Sequence, residues 1–285
     1  MNLNLASRLF LCLHLFKAYV LRVLKLSSII LFQNRFLNSY SYIGNIAPND
    51  RSQKGLKKMP GTQAILTISS ETKSRFPKLK VLTAKVTNVK VRKQDAELEK
   101  FKNQLSESIK KRYNLDSLKD ATSFRAYRDF FWKIRIDPTK NRPATEALIR
   151  RILRGENLPC INTLVDAYNL ASINTEIALA AFDADKLKGN LLMRIAESGE
   201  EFTGIGMSKP MILQGGEVVV SDKEKLVAIY PHRDAENTKV MEQTRNVVLL
   251  ACGVPGIPEE SLRNAIYEAI EFVTHFCGGE GRIIE

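Results

Sequence analysis

The sequence predicts an α+β fold on three observations. Helical periodicity fills most of the stretch from about residue 95 to residue 173, short apolar strands divided by Gly, Asp, Ser and Pro turns come after it, and one further helix closes the chain. Such segregation of helices from strands differs from the strict alternation of a doubly wound parallel sheet. No internal repeat or low-complexity tract interrupts it, and one domain from about residue 60 to the C-terminus is the simplest organisation. At 285 residues, with 44% apolar and 26% charged side chains, the chain can close a sizeable core.

Residues 1–58 form a basic, apolar extension. Leu, Phe and Ile dominate from Leu9 to Phe32, but Lys17, Arg22 and Lys25 break every window long enough to cross a bilayer. Each such cation costs roughly 2.5–3.5 kcal/mol at the centre of a spanning helix, so no transmembrane helix is expected. His14, Lys17, Arg22 and Lys25 gather within about 140° of arc at helical pitch. Two readings stand: an amphipathic helix lying on a membrane surface, or upstream sequence preceding a true start at Met59.

From Met59 the elements follow in order. QAILTIS (63–69) and VLTAKVTNVKV (81–91) read as two strands that pair with each other or join the main sheet. Leu98, Phe101, Leu105 and Ile109 share one face of a helix over Asp95–Tyr113, and Phe124, Tyr127, Phe131 and Ile134 do so over Ser123–Ile134, which Asp137-Pro138 ends. Pro143 opens a third helix, ATEALIRRIL, that stops at Gly155. Asn162 or Thr163 caps a fourth, through LVDAYNLASI. Strands are expected in EIALAAFD (176–183), NLLMRIA (190–196), GEVVVSD (216–222), KLVAIY (225–230) and RNVVLLACG (245–253), then a helix over Glu259–Phe276 that ends on Gly278-Gly279.

The formal charge of +12 is uneven: residues 1–58 carry +8, residues 59–154 carry +13 and residues 155–285 carry −9. A polyanion would therefore meet the middle segment. Arg128, Arg135, Lys140, Arg142, Arg150, Arg151 and Arg154, near Tyr127, Phe131 and Trp132, are the candidates for phosphate contact and base stacking, with a solvated helix face as the other reading of the arginines. Cys12, Cys160, Cys252 and Cys277 form no C-x-x-C pair, the histidines are dispersed, and neither supplies zinc spacing. Sparse thiols fit a reducing, cytoplasmic setting, where all four read as structural. There is no phosphate-binding G-x-x-x-x-G-K-[ST] loop, G-x-G-x-x-G turn, H-E-x-x-H or G-x-S-x-G run, so nothing points to an ATPase, dehydrogenase, metalloprotease or serine hydrolase. No metal or cofactor is expected.

The loop HRDAENT (232–238) is more polar than a turn between two apolar strands requires, which makes His232, Arg233, Asp234 and Glu236 pocket candidates. A turn built on Asp234 and Asn237, with Arg233 in a surface ion pair, is the alternative. Asp166 and Asn169 either form a hydrogen-bond network at a helix start or meet the ligand directly.

Four stretches, in order, carry a resemblance: DPTKNRPATEALIRRILRG (137–155), LPCINTLVDAYNLASI (158–173), AFDADKLKG (181–189), and HRDAENTKV with TRNVVLL (232–250). Together they resemble the B3/B4 domain, the tRNA-editing module of the phenylalanyl-tRNA synthetase beta subunit, here over residues 59–285 with a core at 137–280. The resemblance implies N-terminal helices, a central mostly antiparallel β-sheet and flanking helices. It also implies hydrolysis of a wrongly charged aminoacyl-tRNA, with tRNA or aminoacyl-tRNA rather than DNA as partner; joined to the loop's polarity, this makes Glu236, His232 and Asp234 the candidate catalytic group and Asp166, Asn169, Arg233 and Thr238 the candidate substrate contacts. Glu236 corresponds to the family glutamate that recognises a tyrosine hydroxyl, whereas Ala180 stands where the family has a histidine before A-F-D. That departure keeps open a non-catalytic tRNA- or RNA-binding module and a protein that binds a free amino acid. Adenylate-forming motifs are missing, so a complete aminoacyl-tRNA ligase is not expected. Neither the tRNA, the amino acid nor the oligomeric state follows from the sequence.

Overall fold

A computed structural model describes residues 64–284, which lie within one compact unit. Both readings of residues 1–58 fall outside the described residues. Among the described residues, six helices and eleven strands occur in the order β1 (Leu66–Ile68), α1 (Ser70–Arg75), β2 (Val81–Thr87), α2 (Ala96–Arg112), α3 (Thr122–Lys133), α4 (Ala144–Leu153), α5 (Thr163–Thr175), β3 (Leu179–Asp183), β4 (Leu191–Ile195), β5 (Ser198–Phe202), β6 (Met211–Gln214), β7 (Val218–Ser221), β8 (Leu226–Ile229), β9 (Arg233–Asp234), β10 (Val247–Cys252), α6 (Glu259–Cys277) and β11 (Glu280–Ile284). The fold is α+β, as expected. No helix among the described residues is long and apolar enough to cross a membrane.

The strands divide between a five-stranded sheet, β1-β4-β7-β8-β9, a four-stranded sheet, β11-β2-β10-β3, and the separate ribbon β5-β6. All these pairings are antiparallel except β1 with β4. The two N-terminal strands do not pair with each other: β1 docks on β4, while β2 lies between β10 and β11.

Strand β10 shows why the two sheets form one body. All six of its residues are buried, and alternate side chains at Val248, Leu250 and Cys252 enter a core shared with Met193, Val218 to Val220 and Ile229 of the larger sheet. Its other face meets α6, and α5 packs against α6 and also reaches β3. A strand covered on both faces carries a continuous apolar run, which is what VVLLAC is.

The helix ends follow from their caps. Asp95 accepts hydrogen bonds from the amides of Glu97 and Leu98 at 3.0 Å each, and Asn162 from those of Leu164 and Val165 at 3.2 and 3.0 Å. Of the described cysteines, Cys252 and Cys277 are buried, whereas Cys160 is exposed, because it lies in the loop before α5 rather than on a covered strand.

Candidate functional site

A cavity of about 120 Å³ opens where α5, β3, β8, β9 and β10 converge. Tyr168 and Asn169 come from α5, Ala180 and Phe182 from β3, Leu250 and Cys252 from β10, and His232, Arg233 and Asp234 from the turn and strand after β8. The cavity is thus apolar along the strands and polar at the loop and helix, the usual division of a small-ligand site.

Two buried phenols brace the wall. The Tyr127 hydroxyl donates to the Cys252 carbonyl at 2.6 Å and accepts from the Ala178 amide at 3.0 Å, tying α3 to both sides of the cavity. The Tyr230 hydroxyl donates to the Gly253 carbonyl at 2.6 Å. Burial pushes both phenols above their ordinary range. The chain leaves β8 through a cis Tyr230–Pro231 peptide, and β9 then pairs back on it, with Asp234 opposite Ala228 and Arg233 opposite Ile229. Gly204 lies close against this strand: a Cβ there would meet the Arg233 side chain at 2.3 Å, so a larger residue would displace that arginine.

Asp234 is the carboxyl of the site that burial carries towards neutral pH. Burial raises its carboxyl to about 7, against the lowering effect of the Ala181 amide that hydrogen-bonds it. Tyr168 and Cys252 both feel its charge, which places them at the same end of the cavity. His232 moves the other way: burial first, then the neighbouring Arg233 charge, lower it to about 4, so its imidazole is neutral near pH 7. Its ring meets Phe131 edge-on with centroids 5.7 Å apart. The Arg233 guanidinium donates to the Ile205 carbonyl at 3.4 Å rather than to a carboxylate.

His232, Arg233, Asp234 and Asn169 therefore share the cavity, and the other sequence candidates do not. Glu236 sits on a short 3-10 turn, partly exposed, ion-paired with Lys239 and accepting from the Gly206 amide at 3.3 Å. The Lys239 ammonium holds its carboxyl below the usual range. Thr238 is fully buried, and its hydroxyl has no hydrogen-bond partner among the described residues. Asp166 lies at the first turn of α5, where it accepts from the Lys102 ammonium at 2.7 Å and from the Ile161 amide at 3.1 Å. Its carboxylate is thus a helix-start group. The donor atoms of Glu99, Cys160 and Asp166 lie close enough together to hold a cation, and the Lys102 ammonium, 2.7 Å from both carboxylates, is that cation.

Several residues shared with the B3/B4 pattern prove to be loop supports. Thr244 donates to Asp183 at 2.7 Å, Asn246 donates to both Asp185 oxygens at 3.1 Å, and Asp222 accepts from the amides of Lys188, Glu224 and Lys225. Tyr168, Tyr230 and Cys252 are cavity residues that the polar-loop argument passed over, because their types are as common in cores as in sites. Spacing held a signal for Tyr168 alone, one position before Asn169 on α5.

The basic set also splits. Arg128 and Arg150 clamp the fully buried Glu146, at 3.1 and 2.8 Å. Arg151 and Arg154 share Glu156, at 3.1 and 3.8 Å, and Arg135 donates to the Gly215 carbonyl at 3.1 Å. Lys140 and Arg142 are exposed with no ion-pair partner among the described residues. Of the three aromatic neighbours, Tyr127 and Phe131 are buried, which leaves Trp132, 57% exposed, as the one able to stack on a base.

An α+β body with a small cavity at a helix start is a class shared by many binding modules and hydrolases, and comparison with known proteins narrows it. The B3/4 domain profile matches residues 126–278, more than half of the chain, so the chain belongs to the B3/4 domain family. It is similar to the phenylalanine–tRNA ligase beta subunit of Fusobacterium nucleatum, 29% identical over 152 residues that are 45% of this chain and 19% of that subunit. The corresponding subunit of Yersinia pestis is 32% identical over 108 residues, 38% of this chain and 14% of that one. The matched region thus spans about a fifth or less of the length of these relatives. Among solved structures, an N-terminal fragment of the phenylalanyl-tRNA synthetase beta subunit from Pyrococcus horikoshii aligns with a TM-score of 0.42 and 17% identity, over 80% of this chain and 53% of that one.

Proposed function

We propose that the protein is a trans-acting aminoacyl-tRNA deacylase, which binds the 3′ end of a charged tRNA and hydrolyses the ester to its amino acid. The observation that carries this reading is the size and chemistry of the cavity. About 120 Å³ accommodates an amino-acid-sized group and is too small for a nucleoside as well. The aminoacyl group would enter while the terminal adenosine stays outside, towards the basic segment. Water then adds to the ester carbonyl, the bond to the ribose oxygen breaks, and a free amino acid and uncharged tRNA leave. An aminoacyl ester is already activated, so positioning and charge stabilisation are the main requirements. His232, neutral near pH 7, and Asn169 supply hydrogen-bonding groups at the cavity wall.

Ala180 on the wall, in place of a family histidine, favours a second reading in which the same cavity binds its ligand without hydrolysis. One experiment separates the two. The full chain is incubated with correctly and wrongly charged tRNAs, and loss of the ester is followed over time. Deacylation of at least one species faster than in buffer supports the enzyme. Buffer rates throughout, with tRNA bound, leave the non-catalytic module.

A further inference from the structure

Asp234 is a carboxylate placed in a cavity without a cation of its own. No Lys or Arg among the described residues forms an ion pair with it, whereas other carboxylates of the chain are paired: Glu236 with Lys239, Asp183 with Lys186, Asp222 with Lys225, Glu200 with Arg194. Arg233, next to it in sequence, turns its guanidinium to the Ile205 carbonyl, and His232 carries no charge near pH 7. A carboxylate in a partly closed cavity, held by one backbone amide and no cation, is costly to ionise, and a cation that arrives there lowers that cost. The remaining charged or titratable groups around it are Tyr168 from α5 and Cys252 from β10. Neither can supply a positive charge.

We propose that Asp234 is the counterion for a primary ammonium group of the ligand, so that the cavity selects amino compounds by their free amine. This deepens the deacylase reading and rests on it only for the ester: in an aminoacyl-tRNA the amine in question is the α-amino group. Phe182 and the Tyr168 and Tyr230 rings line the same cavity, and aromatic walls with one carboxylate suit an ammonium head better than a neutral amide. The carboxyl sits near 7, so an arriving cation readily draws it into the ionised form.

The test uses free amines rather than tRNA. The full chain is titrated calorimetrically at about pH 7, below the α-amino range of about 7.7–8.0, with L-alaninamide and L-phenylalaninamide and with their N-acetyl counterparts, which keep the shape but lose the charge. At least one amine should bind at least about tenfold more tightly than its acetylated form, and Asp234→Asn should abolish that preference, as loss of one partner of a desolvated charge pair does. Glu271→Gln, at an exposed carboxylate on α6, should retain it, and circular dichroism checks that both variants are folded. Equal binding of amine and acetylated compound, which a protonated Asp234 donating to a neutral carbonyl would give, overturns the proposal. So does a preference that survives Asp234→Asn, or no binding of any amine at millimolar concentration. Amine binding without any tRNA deacylation would leave this proposal standing and the enzyme reading fallen. Deacylation that proceeds equally well on N-acetylated charged tRNA would do the reverse.

Discussion

The ammonium of Lys102 lies 2.7 Å from the carboxylate of Asp166, and both side chains are almost wholly withdrawn from water, at 5% and 2% exposure. Burial alone would lower the Lys102 ammonium, but hydrogen bonds to Asp166 and Glu99 hold it above its ordinary value. The pair joins α2 to the first turn of α5 and so positions the helix that carries Tyr168 and Asn169. Asp166→Ala leaves a buried cation with only Glu99 beside it and is expected to destabilise the protein by roughly 3–5 kcal/mol. Replacing both partners with apolar residues, as in Lys102→Met with Asp166→Leu, should cost far less. Urea unfolding of the two variants measures the difference, and equal losses would show that the contact is not an ion pair in solution.

The arginines divide by what they already hold. Arg128 and Arg150 neutralise buried Glu146, so Arg128→Ala should lower stability by about 3–5 kcal/mol. Lys140→Ala with Arg142→Ala should leave the melting temperature within about a degree, since exposed side chains without partners contribute little to folding. The same double variant should weaken tRNA binding and reduce its salt dependence by about two in slope, one for each phosphate no longer neutralised. Filter binding at several salt concentrations checks this, and an unchanged slope would move the RNA surface elsewhere.

Trp132 provides a separate readout of that surface. Its exposed indole should be quenched when tRNA binds, and Trp132→Ala should reduce affinity by about 1–3 kcal/mol if a base stacks on it. A fluorescence titration decides the point directly, because Trp132 is the chain's one tryptophan.

Asp234 contributes to the pH dependence of stability with a definite sign, and Glu268 on α6, which burial also raises to about 7, adds a step of the same sign. The folded value of Asp234, about 7, lies above the ordinary 3.8, so the folded state binds this proton more tightly than the unfolded chain. The resulting stability is complete below about 3.8 and is lost as pH rises through about 7. Asp234→Asn removes that loss and should raise stability at pH 8 by about 1–2 kcal/mol, a figure reduced for the solvent that the cavity admits. Amine binding strengthens as pH rises through about 7 and the carboxylate forms, then weakens above about 8 as the ligand's own amine loses its proton. His232 lies near 4 and should add no step between pH 6 and 8, so His232→Gln should keep the same midpoint. Thermal melts and binding titrations across pH 5–9 test both signs.

The sequence made the helices legible because periodicity and caps agree: Asp95 and Asn162 both act as the caps their positions suggest. The ribbon β5-β6 was not legible, since SGEEF shows no apolar alternation, and β9 is only two residues long. Strand partners were hidden as well, because β1 finds β4 across 124 residues of chain, as the Thr67 hydroxyl bond to the Leu191 carbonyl records. In the site, excess polarity drew attention to His232, Arg233 and Asp234, which line the cavity. It could not show that Glu236 turns outward to Lys239 on a 3-10 turn, or that Asp166 is satisfied by a lysine 64 residues earlier. Those outcomes depend on tertiary pairing, which leaves no local pattern.

The central claim for this protein is that the aminoacyl group lies in the cavity beside Asp234. A crystal structure of the full chain with a non-hydrolysable 3′-aminoacylamino-adenosine tests this most directly. The account predicts the amino group within ion-pair distance of Asp234 and the adenosine outside, on the side of Lys140 and Arg142. An analogue bound elsewhere, with the cavity holding only water, would contradict it.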